Sequence, residues 1–501
     1  MSTNLPMLVT FAVYLAAMLL VGWWASRRVR TASDFILGGR SLNPWVTALA
    51  TGASDMSGWL LLGLPGALYA AGLGEAWIAV GLVAGAWLNW RYVAERLRVF
   101  TERGEDALTL PDWFAARFPD RARLLRGTSA AVILVFFAIY ASSGMVAGAR
   151  LFESLVPGID YRTAMIVGAA VTIAYTALGG FLAVTWTEAI QAGLMLFALL
   201  LAPLVVIHAT GGPTDALATI AAVDAARLDP FAGATVIGVV SLLGWGLGYF
   251  GQPHILNRFM AAKSRAAIAP ARRIAMAWMV LCLAGAIATG FFGIAWFATD
   301  PHGAAVLANN PERVFLLLAQ SLFSPWLAGL LLAAVLAAIM STLSSQLLVC
   351  ASAVSEDFWR AWLRPAASDR ELVWVGRVAL LAVAALALWL AADPGNRVLD
   401  LVSYAWAGFG AAFGPLVILA LRWRRMTATG ALAGMLTGAV TVLAWKQAGW
   451  FGLYELVPAF VLAWLAIVVA SRLDRAPPAS VLARFDAVEA EFRRGAGAAA
   501  A

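Results

Sequence analysis

A single carboxylate, Asp55, interrupts the stretch PWVTALATGASDMSGWLLLGLPGALYAAG at residues 44–72, which holds no other charge. The stretch is long enough to cross a bilayer, and an ionisable group placed at membrane mid-depth is by default a functional group. Gly52 and Gly58 flank it and weaken a helix on both sides. Matching chemistry recurs in three other apolar stretches. Tyr140 lies in FFAIYASSG, Trp245, Tyr249 and Pro253 in SLLGWGLGYFGQPH, and Ser341 and Thr342 in AAIMSTLSSQ. Carboxylate and hydroxyl oxygens suit a hard cation. Aromatic faces suit the apolar body and the ammonium of a small organic solute.

Those groups must be positioned by membrane helices. The 501-residue chain is 62% hydrophobic and 13% charged, with a mean hydropathy of +0.82. These values exclude a soluble domain and a disordered chain. The net charge of +7 is spread over loops, which excludes a nucleic-acid stripe. Cys282 and Cys350 fall in apolar runs and read as packing residues. His208, His254 and His302 have no metal-binding spacing. The first apolar run lacks a basic leader and a small-residue cleavage site, so it reads as a retained span.

A window of about 19 residues yields thirteen expected spans: 5–25, 43–72, 75–95, 127–154, 161–181, 186–209, 233–256, 274–298, 326–353, 372–392, 398–421, 428–448 and 455–471. They form one transporter domain, 1–472, followed by a short, partly disordered tail, 473–501. Arginine clusters follow alternate spans: Arg27, Arg28, Arg30 and Arg40, then Arg96 to Arg126, Arg258 to Arg273, Arg360 to Arg370, and Arg422 to Arg425. The positive-inside rule then places the N-terminus outside and the C-terminus in the cytoplasm. Residues 108–118 and 311–323 each open with proline and an acid and read as short interfacial helices, the second being either a lid or a plain interfacial element. The tail offers one weak helix, 480–494.

Span 7 repeats the interruption of span 2. Gly244, Gly246, Gly248, Gly251 and Pro253 argue against a continuous helix, although glycine also serves close helix packing. Spans 2 and 7 lie five apart and run in opposite directions. An inverted repeat of spans 2–6 and 7–11, about 43–209 and 233–421, predicts this arrangement. At roughly 1.5 Å per residue, Asp55, Tyr140, Trp245 and Ser341–Thr342 all lie some 18–23 Å along their helices, in a hydrocarbon layer of about 30 Å. Four spans thus carry their polar and aromatic residues to similar depth.

The strings GASDMSGWLLLGLPGA, GGFLAVTWTEAIQA, GWGLGYFGQPHILNRFM and AAIMSTLSSQLLV resemble the sodium:solute symporter family. The resemblance runs from about residue 5 to 470. It implies an all-α polytopic membrane protein of the leucine-transporter type, an inverted repeat with two broken helices. It implies a bacterial inner-membrane symporter that takes up L-proline with Na+ by alternating access, with no organic cofactor, no nucleic acid and no obligatory protein partner. Matched residue by residue, the ion falls between spans 2 and 9, with the carbonyls of Ala53, Met56 and Ala338 and the hydroxyls of Ser341 and Thr342 as ligands. Asp55 is the sodium-linked carboxylate. The substrate falls to Ser57, Gly58, Trp59, Tyr140, Trp245, Tyr249 and Pro253. Arg40 matches an inner-gate arginine. Glu188, assigned to ion entry, stands where close members more often have aspartate.

Blander readings compete with these. Ser341 and Thr342 are the right type for helix-packing hydroxyls bonded to their own turn, and Arg40 for a positive-inside anchor. A symporter of the same fold for another amino acid, a carboxylate or a sugar fits the same motifs. Proton coupling through Asp55 is a further alternative. An intramembrane hydrolase needs a second acid or a nucleophile–base pair at the depth of Asp55, and no second mid-span carboxylate is evident.

Overall fold

The computed structural model describes residues 5–26, 32–103, 105–156 and 158–498. Arg27, Arg28 and Arg30, expected to anchor the inner end of the first span, lie outside them. Among the described residues the regular structure is helical, apart from one isolated bridge between Leu42 and Ala262. Among the described residues ten helical stretches are long and apolar enough to cross a membrane, and two shorter apolar ones are Tyr161–Ala174 and Val236–Gly251.

The differences from thirteen expected spans fall where the chain bends. Pro44–Asp55 is only 12 residues long. Trp59–Arg103 is a 45-residue helical stretch with Gly72 at φ +79 inside it. Tyr161–Ala209 runs for 49 residues but contains Gly180 at φ 60, ψ −172, a conformation essentially reserved for glycine.

Local sequence explains the helix ends that matter. Asn43 caps Pro44–Asp55, its Oδ1 accepting from Val46 N at 3.0 Å, with Pro44 pre-set for the first turn. Thr109 caps Leu110–Arg117 in the same way, accepting from Asp112 N at 3.0 Å. That helix matches the interfacial element expected at 108–118. Residues 311–323 form a turn, Pro311–Arg313, and a helix, Val314–Leu322. The tail helix is longer than expected, Ala479–Ala498. Residues 499–501 of the run expected to be disordered lie outside the described residues.

Burial sorts the long helices into layers. In both Pro325–Leu363 and Val398–Arg422, 89% of the apolar window is buried, against 28% in Leu5–Trp24 and 33% in Leu456–Leu473. The first pair forms the centre, and the outer helices present side chains such as Leu5, Val13 and Leu473 outward. Close approach at the centre depends on glycine. A Cβ on Gly85 or Gly246 would collide with the backbone of the other segment, so Trp77–Asn89 packs directly against Trp245–Gly251.

Candidate functional site

The helix Pro44–Asp55 stops at Met56, whose φ −81, ψ 79 leaves the helical region. The stop re-routes the local hydrogen bonds. Ser57 N donates to Asp55 O at 3.0 Å, so it does not pair with Ala53 O four residues back. Leu60 N donates to Ser57 O at 3.0 Å rather than to Met56 O. Two carbonyls that a continuous helix would occupy are therefore released from the ladder.

The released Ala53 carbonyl meets the central helix Pro325–Ser352. Ser341 Oγ donates to Ala53 O at 2.7 Å and lies 3.0 Å from Ala338 O, and Thr342 Oγ1 donates to Ala53 O at 3.3 Å. Ser341 thus reaches across to the interrupted helix while lying within hydrogen-bond distance of its own turn. Four of the oxygens proposed for the ion, from Ala53, Ala338, Ser341 and Thr342, form one buried cluster.

Asp55 is 3% exposed. Its Oδ2 accepts from the Tyr249 hydroxyl at 2.5 Å, and its Oδ1 accepts no hydrogen bond. No arginine or lysine pairs with it among the described residues. Its backbone carbonyl accepts from Trp59 Nε1 at 3.2 Å, which holds the indole at the break. The Trp59 and Trp245 rings stand 6.5 Å apart, and Tyr454 stacks on Trp245 at 5.5 Å. Tyr140 is fully buried, and its hydroxyl meets no hydrogen-bond partner among the described residues. The second interruption is thereby tied to the first. Trp245–Gly251 is a 3-10 segment, and Asn89 Nδ2 and Trp406 Nε1 satisfy the carbonyls of Tyr249 and Trp245 at 2.9 and 2.8 Å.

Other expected residues stand apart from this cluster. Gly58 packs against Ala147 and Ile339, leaving no room for a side chain. Pro253 opens the helix Pro253–Ala261 and shares a small cleft with Thr109 and Asp357. Arg40 adopts φ 52, unusual for a non-glycine residue. Its guanidinium donates to Asp106 at 2.8 Å, to Met260 O at 2.7 Å and to Ala107 O at 2.9 Å. It therefore ties the entry to Pro44–Asp55 to two other segments.

Glu188 is 0% exposed and pairs with Arg258, 1% exposed, at 2.5 Å. Ser345 links the two, donating to Glu188, accepting from Arg258 Nη2 at 2.6 Å and lying 2.8 Å from Ser341 O. This corrects the expectation that Arg258 anchors a loop, since it is buried in the helix Pro253–Ala261 against Glu188, whose carboxylate also accepts from the Ser345 hydroxyl. The missed residues are Arg258, Ser345, Trp406 and Tyr454. Arg258 carried a usable signal, since it lies only five residues beyond Pro253 within the span 7 motif. Trp406 and Tyr454 carried none, because an aromatic residue in an apolar run looks the same whether it faces a site or a neighbour.

Comparison with known proteins adds the lineage. Residues 35–438 match the model of the sodium:solute symporter family. The chain is 58% identical to the sodium/proline symporter of Escherichia coli strain K12, over 98% of both chains. It is 51% identical to a high-affinity proline transporter of Bacillus subtilis strain 168, over 94% of this chain and 98% of that one. A Na+-coupled sialic acid symporter, solved substrate-bound and outward-open, is 19% identical with a TM-score of 0.79, covering 94% of this chain and 99% of that one. That likeness establishes a shared fold. The match to the family model and the full-length identity together make this chain a member of the sodium:solute symporter family.

Proposed function

We propose that this protein is a sodium-coupled symporter of L-proline in the bacterial inner membrane, working by alternating access. The observation that carries the reading is the oxygen cluster of Ala53, Ala338, Ser341 and Thr342 beside a buried, unneutralised Asp55. A hard cation fits this donor set. On sodium entry the two hydroxyls turn their hydrogens away from Ala53 O and offer lone pairs, Ala53 and Ala338 add carbonyls, and the released Met56 carbonyl completes the set. Asp55 supplies the negative charge. The names of full-length relatives, sodium/proline symporter and proline transporter, support the choice of ion and solute. They also support a transporter rather than an enzyme.

Ser57, Gly58, Trp59, Tyr140, Trp245, Tyr249 and Pro253 form the solute site in this reading. Trp59 and Trp245 wall the pyrrolidine ring, and their faces attract the secondary ammonium. Tyr249 touches Asp55 directly, so ion and solute sites share one hydrogen bond. Arg40 closes the inner side, and Glu188 serves ion entry only indirectly, by holding Arg258 and Ser345 in place one turn from Ser341. Thirteen crossings in an inverted repeat are supported by the bends at Gly72 and Gly180 and by the paired interruptions at Met56 and Trp245–Gly251, and the arginine-rich alternate loops support an N-terminus outside. The driving force suffices. About 100 mV contributes about 2.3 kcal/mol per charge, and a tenfold sodium gradient adds about 1.4 kcal/mol, enough for roughly several-hundred-fold accumulation.

The test is proline uptake into liposomes with and without a sodium gradient at fixed pH, for the intact chain and for Asp55→Asn. Sodium-dependent uptake is expected for the intact chain, and for Asp55→Asn uptake that needs about a hundredfold more sodium. Uptake driven equally by a pH gradient without sodium would replace sodium by a proton. Competition by a different solute, with none by proline, would change the substrate.

A further inference from the structure

Arg40, which closes the inner side in the reading above, is held chiefly by one turn. It donates to Thr101 Oγ1 at 3.3 Å, to Asp106 Oδ1 at 2.8 Å and to Ala107 O at 2.9 Å. Its remaining bond goes to Met260 O at 2.7 Å. The turn leaves the helix Glu95–Arg103 and closes where Ala107 N donates to Thr101 O at 3.0 Å. Among the described residues four non-glycine residues have positive φ, and three of them meet here: Arg40 at 52, Glu105 at 60 and Asp106 at 54. The left-handed region is costly for a residue with a Cβ, and two such residues in succession keep that shape only while their neighbours fix it.

One of those neighbours is the tail helix Ala479–Ala498. Arg484 Nη1 donates to Glu105 Oε1 at 2.9 Å, although the two lie 379 positions apart. The rest of the helix is fastened elsewhere. Val481, Phe485 and Val488 recur at helical spacing and are buried, with the Phe485 ring 5.6 Å from Phe100. Arg424 grips Asp486 with two bonds of 2.8 Å, and Arg96 grips Glu489 at 2.7 and 3.2 Å. These contacts respond differently to salt. The side chains of Arg484 and Glu105 are 55% and 67% exposed. Screening reaches such a pair as the Debye length falls from about 10 Å at 0.1 M to about 3 Å at 1 M. The apolar stripe carries no charge to screen. Salt therefore frees the turn from Arg484 while the stripe keeps the tail in place.

We propose that the tail helix is an autoinhibitory strap on the inner side, released by ionic strength. At low ionic strength Arg484 pins Glu105, the turn keeps its left-handed shape, and Arg40 stays in its bonds. At high ionic strength the pin is screened, the turn relaxes, Arg40 lets go more readily, and turnover quickens. The strap rests on the reading of Arg40 as the inner closure.

The full-length chain is reconstituted in liposomes with the tail facing the lumen. Initial proline uptake is followed as luminal potassium chloride rises from about 0.01 M to about 1 M, with the sodium gradient fixed and osmolality balanced by sucrose. Maximal uptake is expected to rise about two- to fivefold, the range that one exposed ion pair can shift an equilibrium. Arg484→Gln is fast at low salt and no longer responds. Arg484→Glu combined with Glu105→Arg restores the response, and Arg424→Gln, whose ion pair does not touch the turn, retains it. Hydrogen exchange in neutral detergent, with neither sodium nor proline, reads the contact apart from transport. Amides around Ala107 exchange faster at high salt and in Arg484→Gln, while those of residues 481–488 stay protected. The proposal is overturned if uptake by the intact chain stays flat or falls as salt rises, or if Arg484→Gln follows salt as the intact chain does. Exchange around Ala107 that ignores both salt and Arg484→Gln overturns it as well. Uptake without sodium dependence fails the symport reading instead, and the exchange response then still decides the strap.

Discussion

Asp55 and Glu188 are both carboxylates removed from water, at 3% and 0% exposure, yet their surroundings are opposite. Glu188 faces the guanidinium of Arg258 at 2.5 Å and the hydroxyl of Ser345. Asp55 faces one phenol, that of Tyr249, and keeps an oxygen with no donor. A buried charge that is already neutralised resists change, because removing either partner strands the other. A buried charge met only by a neutral hydroxyl is still short of a cation. The comparison assigns Glu188 to holding the helices together and Asp55 to meeting what passes between them. The two are linked through Ser345 and Ser341, which lie on one helix with Ser345 Oγ 2.8 Å from Ser341 O.

This contrast can be broken experimentally. The largest effect belongs to Glu188→Gln, which leaves Arg258 buried without a counter-charge and costs about 3–5 kcal/mol of stability. It is read as a drop in thermal midpoint and membrane yield, and Glu188→Leu combined with Arg258→Leu recovers most of it. Normal stability with lost sodium affinity would reverse the roles assigned here. Asp55→Asn is expected to leave the fold intact and to weaken sodium activation about a hundredfold, the worth of a charge-assisted contact in a buried site. A melting temperature that falls with it would make Asp55 structural instead.

Trp245→Ala tests the solute side, and the loss of a buried aromatic anchor raises the half-saturating proline concentration by roughly thirtyfold. Uptake must remain sodium-dependent in that variant, and unchanged proline affinity would refute the aromatic wall. The smallest effect is expected for Ser341→Ala. It removes one of several ion oxygens and raises the half-activating sodium concentration by about tenfold, with proline affinity following only through the ion. An equal loss at saturating sodium would mean that the Ser341 hydroxyl matters for packing between the two helices.

Much of this was legible in the chain. Asp55 stood out because a carboxylate in an apolar run is costly and rare, and Gly52, Gly58, Gly244, Gly248 and Pro253 marked where helices weaken. The family motifs carried Ala53, Ser341 and Thr342, which do meet in space. Arg258 was misjudged because basic residues near span ends usually lie in loops, and only packing distinguishes a buried guanidinium from an anchor. The partner of Glu105 was invisible for the same reason, since Arg484 lies far along the chain on the tail helix.

Sequence alone determined the class of this protein, its apolar spans and the positions at which the backbone could not remain helical. These are local properties, set by hydropathy, glycine and proline, and they do not depend on what lies opposite. Tertiary structure decided which carbonyls were released and what met them, that Asp55 rests on a tyrosine while Glu188 rests on an arginine, and that the tail reaches the turn beside Arg40. Those outcomes depend on distances of a few ångströms between segments hundreds of residues apart, where a hydrogen bond forms or fails and hydropathy has no say.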